Sequence, residues 1–440
     1  MKTKIVLLAS LLTTFIGFSQ KKWTLKECVD HALKNNITIQ QNKLNISAAE
    51  KDVKTAKGNF LPTFSAYKNG GVNFGSSFDF VTNNRVSTST FGSSLGINGG
   101  INIFNGFSNL NSKKQALLQV EGSKLDLAQI ENNVALNVVN TYLNVLFAKE
   151  NLSVAVSQAE ISKKQIERAK AQFEAGAVPK GDLLNVESTA ASDLQNVIIQ
   201  ENTLDFALLQ LSQLLQIDVA NFDVAAINVG TPSSAMLYSN ASQVYTEALK
   251  NRPEIKRAEL NVENSKLSID IAKSAYLPTL TASAQLNSTY GYNLKSNIHA
   301  NLLSQLDDNL GYGVGFSLNV PIFNGFRTDA NVEKTIINKK QTELTLESEK
   351  LQLQQTIEQA FLDAKAAAKT YEVAQISLNA QKEAFKNAQV SYDYGSMTQF
   401  DFDQVRTRYV DAEATLIRAK YDYFFKTKVL KFYFGENIAE

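Results

Sequence analysis

From residue 327 to residue 394 the chain contains neither glycine nor proline, and from 110 to 175 it contains only Gly122. A helix of about 65 residues is roughly 100 Å long at ~1.5 Å per residue, longer than any globular core. The apolar spacing supports such helices. Ile357, Ala364, Tyr371, Leu378, Phe385 and Tyr392 fall seven apart, and Ala360, Ala367, Ala374 and Ala388 fill the fourth place after four of them. Val138, Val145, Leu152, Ala159, Ile166 and Phe173 repeat the pattern 219 positions earlier. A seven-residue period means helices packed along their length, and alanine in the seam means that they pack closely. Each long stretch ends at a short glycine-containing turn, EAGAVPKGD or DYGSMTQFD. After each turn a second helical pattern of about 35 residues runs back, as a glycine-marked stop and a new start require.

The same offset runs through the whole chain. HALKNNITI at 31–39 matches EALKNRPEI at 247–255, and FLPT at 60–63 matches YLPT at 276–279, both 216 apart. IFNGF at 103–107 returns at 322–326, and Gly176 and Asp182 return as Gly395 and Asp401, all 219 apart. The chain is therefore two copies of one unit, with three residues gained between the landmarks. The repeat is far longer than the ~20–50 residues of a solenoid.

Each copy opens with a helical pattern, 24–57 and 241–275, and then changes period. Leu310, Tyr312, Val314, Phe316, Leu318 and Val320 alternate with Gly311, Gly313, Gly315, Ser317 and Asn319. Leu95, Ile97, Ile101 and Ile103 do the same in the first copy, and Leu280 to Leu294 supply a further alternating run. Period two means strands with one apolar face. The expected strands are 62–80, 88–104, 279–294 and 309–323, joined near 81–87 and 295–309, with tip turns at 174–182 and 393–401. The unit is helix, strand, strand, long helix, turn, helix. The copies run over 20–217 and 241–434, separated by 218–240 and followed by a tail at 435–440.

The N-terminus carries Lys2, Lys4 and an apolar run from Ile5 to Phe18, the pattern of a secretory leader over 1–19. No cysteine stands near Ser19, which argues against a lipid anchor, and the single cysteine, Cys28, has no partner for an internal disulfide. Lysine and arginine total 44 against 43 aspartates and glutamates, so no net field attracts nucleic acid. Apart from the leader, no apolar run is long enough for a spanning helix. A membrane is then entered by strands. Open edges are forbidden there, because each unpaired backbone group in hydrocarbon costs several kcal/mol. Four strands cannot close on themselves. About eight make a filled barrel, so two copies leave no hole and three copies, with twelve strands, do.

At this point the residues resemble a known family, the TolC-type outer membrane efflux proteins. The resemblance runs from WTLKECVDHALKNN through NFLPT, NIFNGF and FEAGAVPKGDLLNVES to YFFKTKVLKFYFG. It implies a homotrimer in the outer membrane of a Gram-negative-type cell, with a twelve-stranded β-barrel continued by a periplasmic α-helical coiled-coil tunnel. It also implies a passive exit duct for small toxic compounds, joined through a periplasmic adaptor to an inner-membrane transporter, with no cofactor. Residue by residue, the pore-narrowing aspartate matches Asp401. A second aspartate is replaced by Gln404, so that ring is missing or passes to Asp403. The tip tyrosine matches Tyr392 and its partner Asp182. A closing arginine is replaced by Met397, which leaves a Tyr392–Asp182 latch without an arginine ion pair. The adaptor-docking tips fall at Gly176, Val178, Gly395 and Met397.

Plainer roles stand beside these. Asp401 and Asp182 sit where first-turn carboxylates favour a helix N-terminus, and Tyr392 continues the heptad. Phe104, Asn105 and Gly106, with Phe323, Asn324 and Gly325, mark the barrel-to-tunnel junction. Phe104, Phe107, Phe323 and Phe326 form an aromatic girdle there or staple strand to helix. Enzyme chemistry has little to work with: His31 and His299 are isolated, and no metal-ligand spacing or Cys–His pairing appears. Two alternatives remain, the exit duct of a type I protein secretion system and a periplasmic coiled-coil scaffold without a pore. The scaffold leaves four apolar strand faces without a solvent.

Overall fold

A computed structural model describes residues 22–220, 222–227, 238, 240–295, 301–436 and 438. The leader, His299, and parts of 218–240 and 435–440 lie outside them. In chain order the elements are β1 (Lys22–Trp23), α1 (Leu25–Asn35), α2 (Ile37–Gly58), β2 (Thr63–Asp79), β3 (Asn84–Asn105), α3 (Ser108–Glu174), α4 (Lys180–Leu215), β4 (Asp223–Val224), α5 (Ala241–Asn251), α6 (Pro253–Lys273), β5 (Thr279–Asn293), α7 (Leu302–Asp308), β6 (Gly311–Asn319), α8 (Arg327–Asp393) and α9 (Gln399–Phe434). The two long helices have 67 residues each and the two returning helices 36 each. Equal lengths in the two copies are what a duplicated unit requires.

Several boundaries differ from the sequence reading. The opening helical segments are each broken. Asn36 interrupts the first, and its Oδ1 accepts from the backbone N–H groups of Thr38 (2.9 Å) and Ile39 (3.4 Å) to start α2. Arg252 interrupts the second because it precedes Pro253, which disfavours helical backbone before it and suits the first helical turn after it. The second strand begins at Asn84, four residues earlier than expected. The last strand ends at Asn319, before Pro321, and the loop expected at 295–309 contains α7, capped by Asn301.

The chain divides into two compact units. The strand unit is Leu44–Lys124 with Arg257–Glu347. Its sheet has four antiparallel strands in the order β2-β3-β5-β6, so the copies meet at β3 and β5. The apolar face of the last strand is bare: Tyr312 is 84% exposed, and Val314 and Phe316 are each 73% exposed. Beside the sheet, Gln115 donates to the Asn264 carbonyl and the Ser268 hydroxyl, holding α3 to α6. Gly122, the one glycine in α3, lies against the Arg257 guanidinium, which a Cβ would meet at 2.6 Å.

The helical unit is Met1–Lys43, Leu125–Lys256 and Ser348–Glu440. One core gathers Cys28, Val138, Val139, Tyr142, Leu211 and Leu215 around the short parallel pair β1–β4, which the sequence reading did not contain. The Tyr142 hydroxyl lies 2.9 Å from the Trp23 carbonyl and 2.7 Å from that of Ala225, pinning this seam. A second core gathers Val244, Ala248, Ile255, Leu353, Ile357 and Leu430. The heptad positions Val138, Val145, Ile357, Ala364, Ala367, Ala374 and Ala388 are all buried, as close helix packing demands.

Candidate functional site

Both helical hairpin tips, within the helical unit, are built alike. Gly176 (φ +73°) and Gly395 (φ +75°) take the left-handed conformation that ends a helix. The N–H of Gly176 reaches the Phe173 carbonyl and that of Ala177 the Gln172 carbonyl; Gly395 and Ser396 repeat this with Tyr392 and Ser391. These are paired bonds that use up orphan carbonyls at a helix end. Val178 and Met397 follow at matching places, each half-buried. The tips differ in what they show to solvent: Tyr394 is 85% and Phe400 74% exposed at the second tip, where the first has alanine and glycine.

Thr398 caps α9, accepting from the Asp401 N–H at 3.2 Å while its hydroxyl donates to the Asp401 carboxylate at 2.7 Å. Asp401 is thus the first-turn carboxylate of α9, bonded to the Thr398 cap, and its side chain remains exposed. Gln404 and Arg408 continue the same exposed stripe of α9, with Arg408 donating to Gln404 at 3.4 Å. Asp403 does not join it. It turns inward, accepts from Gln399 at 2.9 Å and lies 3.8 Å from Arg406, off the exposed stripe that carries Asp401 and Gln404.

The latch expected between Tyr392 and Asp182 is not formed as a hydrogen bond among the described residues. The Tyr392 ring stacks on Phe402 with centroids 4.8 Å apart and lies under the Arg168 guanidinium at 5.2 Å. Burial pushes the Tyr392 phenol up from its ordinary value, against the opposing pull of Arg168. Arg168 also forms an ion pair with Asp393 and donates to its carbonyl at 3.0 Å. The arginine at this tip thus stands not at the place of Met397 but in α3, in the other copy. Asp182 sits in the first turn of α4, which starts after Pro179 without a side-chain cap.

Sequence reasoning also missed a buried ionic cluster joining the copies. Arg406 of α9, 5% exposed, lies 3.0 Å from Asp193 of α4 and donates to Ser162 of α3 at 2.5 Å. The Ser162 hydroxyl in turn donates to Asp193. A buried guanidinium is tolerated only when paired and hydrogen-bonded, and here two carboxylates and a hydroxyl serve it.

In the strand unit, both strand-to-helix junctions carry the same bend. Gly106 and Phe107 have φ of +64° and +67°, and Gly325 and Phe326 have +64° and +62°. Asn105 accepts from the Asn109 N–H and Asn324 from the Thr328 N–H, opening α3 and α8. Phe104 meets Phe107 edge to face at 5.2 Å, and Phe323 meets Phe326 likewise at 5.5 Å. The aromatics thus staple strand to helix within each copy.

Among the described residues, no group of three or more His, Cys, Asp or Glu side chains is placed to hold a metal ion. Burial pushes the Cys28 thiol up to about 12, far from a reactive thiolate.

A family model described as outer membrane efflux protein matches residues 28–215 and 244–435, once per copy. The outer membrane protein TolC of Escherichia coli (strain K12) is 26% identical over 439 residues, covering 95% of this chain and 83% of that protein. The pyoverdine export outer membrane protein OpmQ of Pseudomonas aeruginosa is 24% identical over 281 residues, covering 64% of this chain and 55% of that one. Among solved structures, the Campylobacter jejuni CmeC outer membrane channel superimposes with a TM-score of 0.76 at 19% identity, over 94% of this chain and 87% of that one.

Proposed function

Because the chain belongs to the outer membrane efflux protein family, we propose that it is the exit duct of a three-part export system. In this reading three copies form one channel that passes small toxic compounds out of the cell. Its place is the outer membrane, as in the relatives it matches. One observation carries the proposal: a four-stranded sheet whose apolar face is bare and whose outer strands, β2 and β6, have open edges. In water such a face and such edges invite aggregation, and in lipid the edges alone cost several kcal/mol per unpaired group. Closure removes the cost. Three copies close twelve strands around a lumen, and the duplication makes that ring nearly six-fold.

The mechanism follows from passive geometry. The chain supplies a path and no driving force, so the energy comes from an inner-membrane transporter, reached through a periplasmic adaptor seated at the tips. Exposed Tyr394 and Phe400 give the second tip an apolar contact for that adaptor, beside Gly395 and Met397, with Gly176 and Val178 at the first. Three Asp401 carboxylates facing one lumen form a ring of negative charge that favours cations. With Gln404 in the next position on the stripe, this is a single ring. The Arg168–Asp393 pair and the Tyr392 stack hold the tip hairpins together and oppose opening. A small-molecule cargo is supported by the relative named for pyoverdine export.

Purified protein in planar bilayers tests this reading. The expected result is discrete conductance steps, larger in an Arg168→Ala variant, with cation preference reduced by Asp401→Ala. Bilayers that stay silent with both the native protein and the Arg168→Ala variant contradict the duct.

A further inference from the structure

The apolar face of the sheet ends, away from the long helices, in a patch of positive charge. We propose that Arg85 and Lys295, which converge at Ser87 on the β2–β3 hairpin, bind the phosphate of an anionic lipid in the outer leaflet of the membrane. The site rests on the reading above that this face of the sheet meets lipid.

Strand register fixes which residues share the face. Directly paired residues lie on one side of a sheet, and β2 pairs with β3 without a break from Thr63 with Gly100 up to Phe78 with Arg85. Arg85 and Ser87 stand at every second position of β3 with Phe91 and Ile97, so all four face the same way. Ile97 pairs with Leu286, and Leu286 with Tyr312, which places Arg85 and Ser87 on the bare apolar side.

Height along the strands places the patch. From Leu280 to Tyr292 the outward residues of β5 cover about 40 Å of strand, or about 30 Å of membrane depth at a tilt near 40°. At the upper end Phe91 packs on Tyr292 and Tyr290, with centroids 5.3 and 6.3 Å apart. Such a cluster marks the level where hydrocarbon gives way to headgroups. β5 ends at Asn293, opposite Thr90, and the β2–β3 hairpin continues beyond it alone. At the same tilt Ser87 stands about 10 Å and Arg85 about 15 Å above Phe91, within a long side chain's reach of the headgroups.

The donors converge. The Lys295 ammonium donates to the Ser87 hydroxyl at 3.2 Å, and the Lys295 N–H to the Asn293 side chain at 2.9 Å. Arg85 lies about 6.6 Å along the strand from Ser87, so its guanidinium and the ammonium can donate to one phosphate between them. Both cations are exposed, and neither forms an ion pair among the described residues. Exposed Phe74 and Phe78 on the adjacent strand offer apolar surface beside them. Asp307 and Asp308 belong to α7, which is bonded to β5 lower down, at Ser288, Thr289 and Gly291. Lower on the same face stands a third cation, Lys68, opposite Leu95. A cation in the apolar band is tolerated when its chain rises to the interface, and Gly70, the next residue facing that way, leaves the path open. The charge of the face is thus all of one sign among the described residues of the strands, and a lipid phosphate complements it.

Native mass spectrometry of the full-length protein in detergent tests the site with three probes: phosphatidylglycerol, diacylglycerol with the same chains, and inorganic phosphate. The expected result is phosphatidylglycerol retained about tenfold more tightly than diacylglycerol, lost in Arg85→Ser/Lys295→Ser and kept in Arg85→Lys/Lys295→Arg. Equal retention by the native protein and the serine variant overturns the site, as does equal retention of the two lipids. Displacement of phosphatidylglycerol by an equal concentration of inorganic phosphate overturns the membrane as the source. Conductance steps from the native protein alongside equal lipid retention sink the site and leave the duct standing. Silent bilayers remove the duct and, with it, the lipid-facing band on which the site stands.

Discussion

The two strand-to-helix junctions have nearly the same backbone and opposite surroundings. Gly106 presses against the Ser274 carbonyl, while Gly325, with the same φ of +64°, faces open space. Thr328, which follows the second bend, is buried, yet Phe323 and Phe326 are 75% and 71% exposed. Residues do not explain the contrast, since the five-residue motif is the same in both. Position explains it: the first junction has another copy of the unit beside it in the chain, and the second does not. A duplicated chain thus displays, at one site, the contact that it lacks at the other.

The sharpest way to break this comparison is a methyl group at each glycine. Gly106→Ala forces a Cβ onto a backbone oxygen and strains a left-handed residue, for a loss of about 3 kcal/mol. Gly325→Ala should cost as much in the assembled protein, where a neighbour fills the space, and only about 1 kcal/mol if the chain stands alone. Thermal unfolding of the two variants in one detergent compares them directly; a mild Gly325→Ala would break the equivalence.

The next test concerns a site where the copies are not equivalent. Arg406 corresponds to Glu187 in the first copy, so the ionic cluster exists once per chain. Arg406→Leu leaves Asp193 and Asp403 facing each other without their cation. The expected cost is about 3 kcal/mol, at the low end for a broken buried pair because both carboxylates keep some contact with water. Chemical denaturation measures it, and Glu187→Leu should change stability far less.

A smaller effect separates the two tips. Thr398 caps α9 and Pro179 offers α4 no side-chain cap, so Thr398→Ala should cost about 1 kcal/mol and Pro179→Ala much less. The smallest effect is in pH. Burial pushes the Asp223 carboxyl up, but hydrogen bonds from Lys149 and the Val224 N–H outweigh it and hold it below its ordinary value. A carboxyl lowered in the folded state stabilises above its unfolded pKa, near 4, and that contribution is lost as pH falls below this. Acid unfolding of Asp223→Asn should therefore show a shallower pH dependence than that of the native protein.

Much of the fold was legible because it is periodic. Heptads with alanine seams, alternation with glycine opposite the apolar face, and a constant offset are local patterns repeated often enough to be read without coordinates. What escaped was single and non-local. Asn36 and Arg252 break helices through one side chain and one following proline inside otherwise continuous helical patterns. The β1–β4 seam is two residues long on each strand and pairs segments about 200 positions apart. Arg168 and Arg406 look like solvated charges in sequence, and only packing gives them partners: α3 beside the end of α8 for Arg168, and α3 and α4 beside α9 for Arg406. At the candidate site the glycine turns and the Asn-Gly bends are legible in sequence, and so is the first-turn place of Asp401. The partners of Tyr392 were not: Phe402 comes from the returning helix α9 and Arg168 from the other copy.

On the proposed function, one chain is a third of a closed ring. Native mass spectrometry of the protein extracted in mild detergent tests it most directly. The expected result is an assembly of three chains with no monomer at equilibrium; a single chain, or an assembly of two or four, overturns the ring.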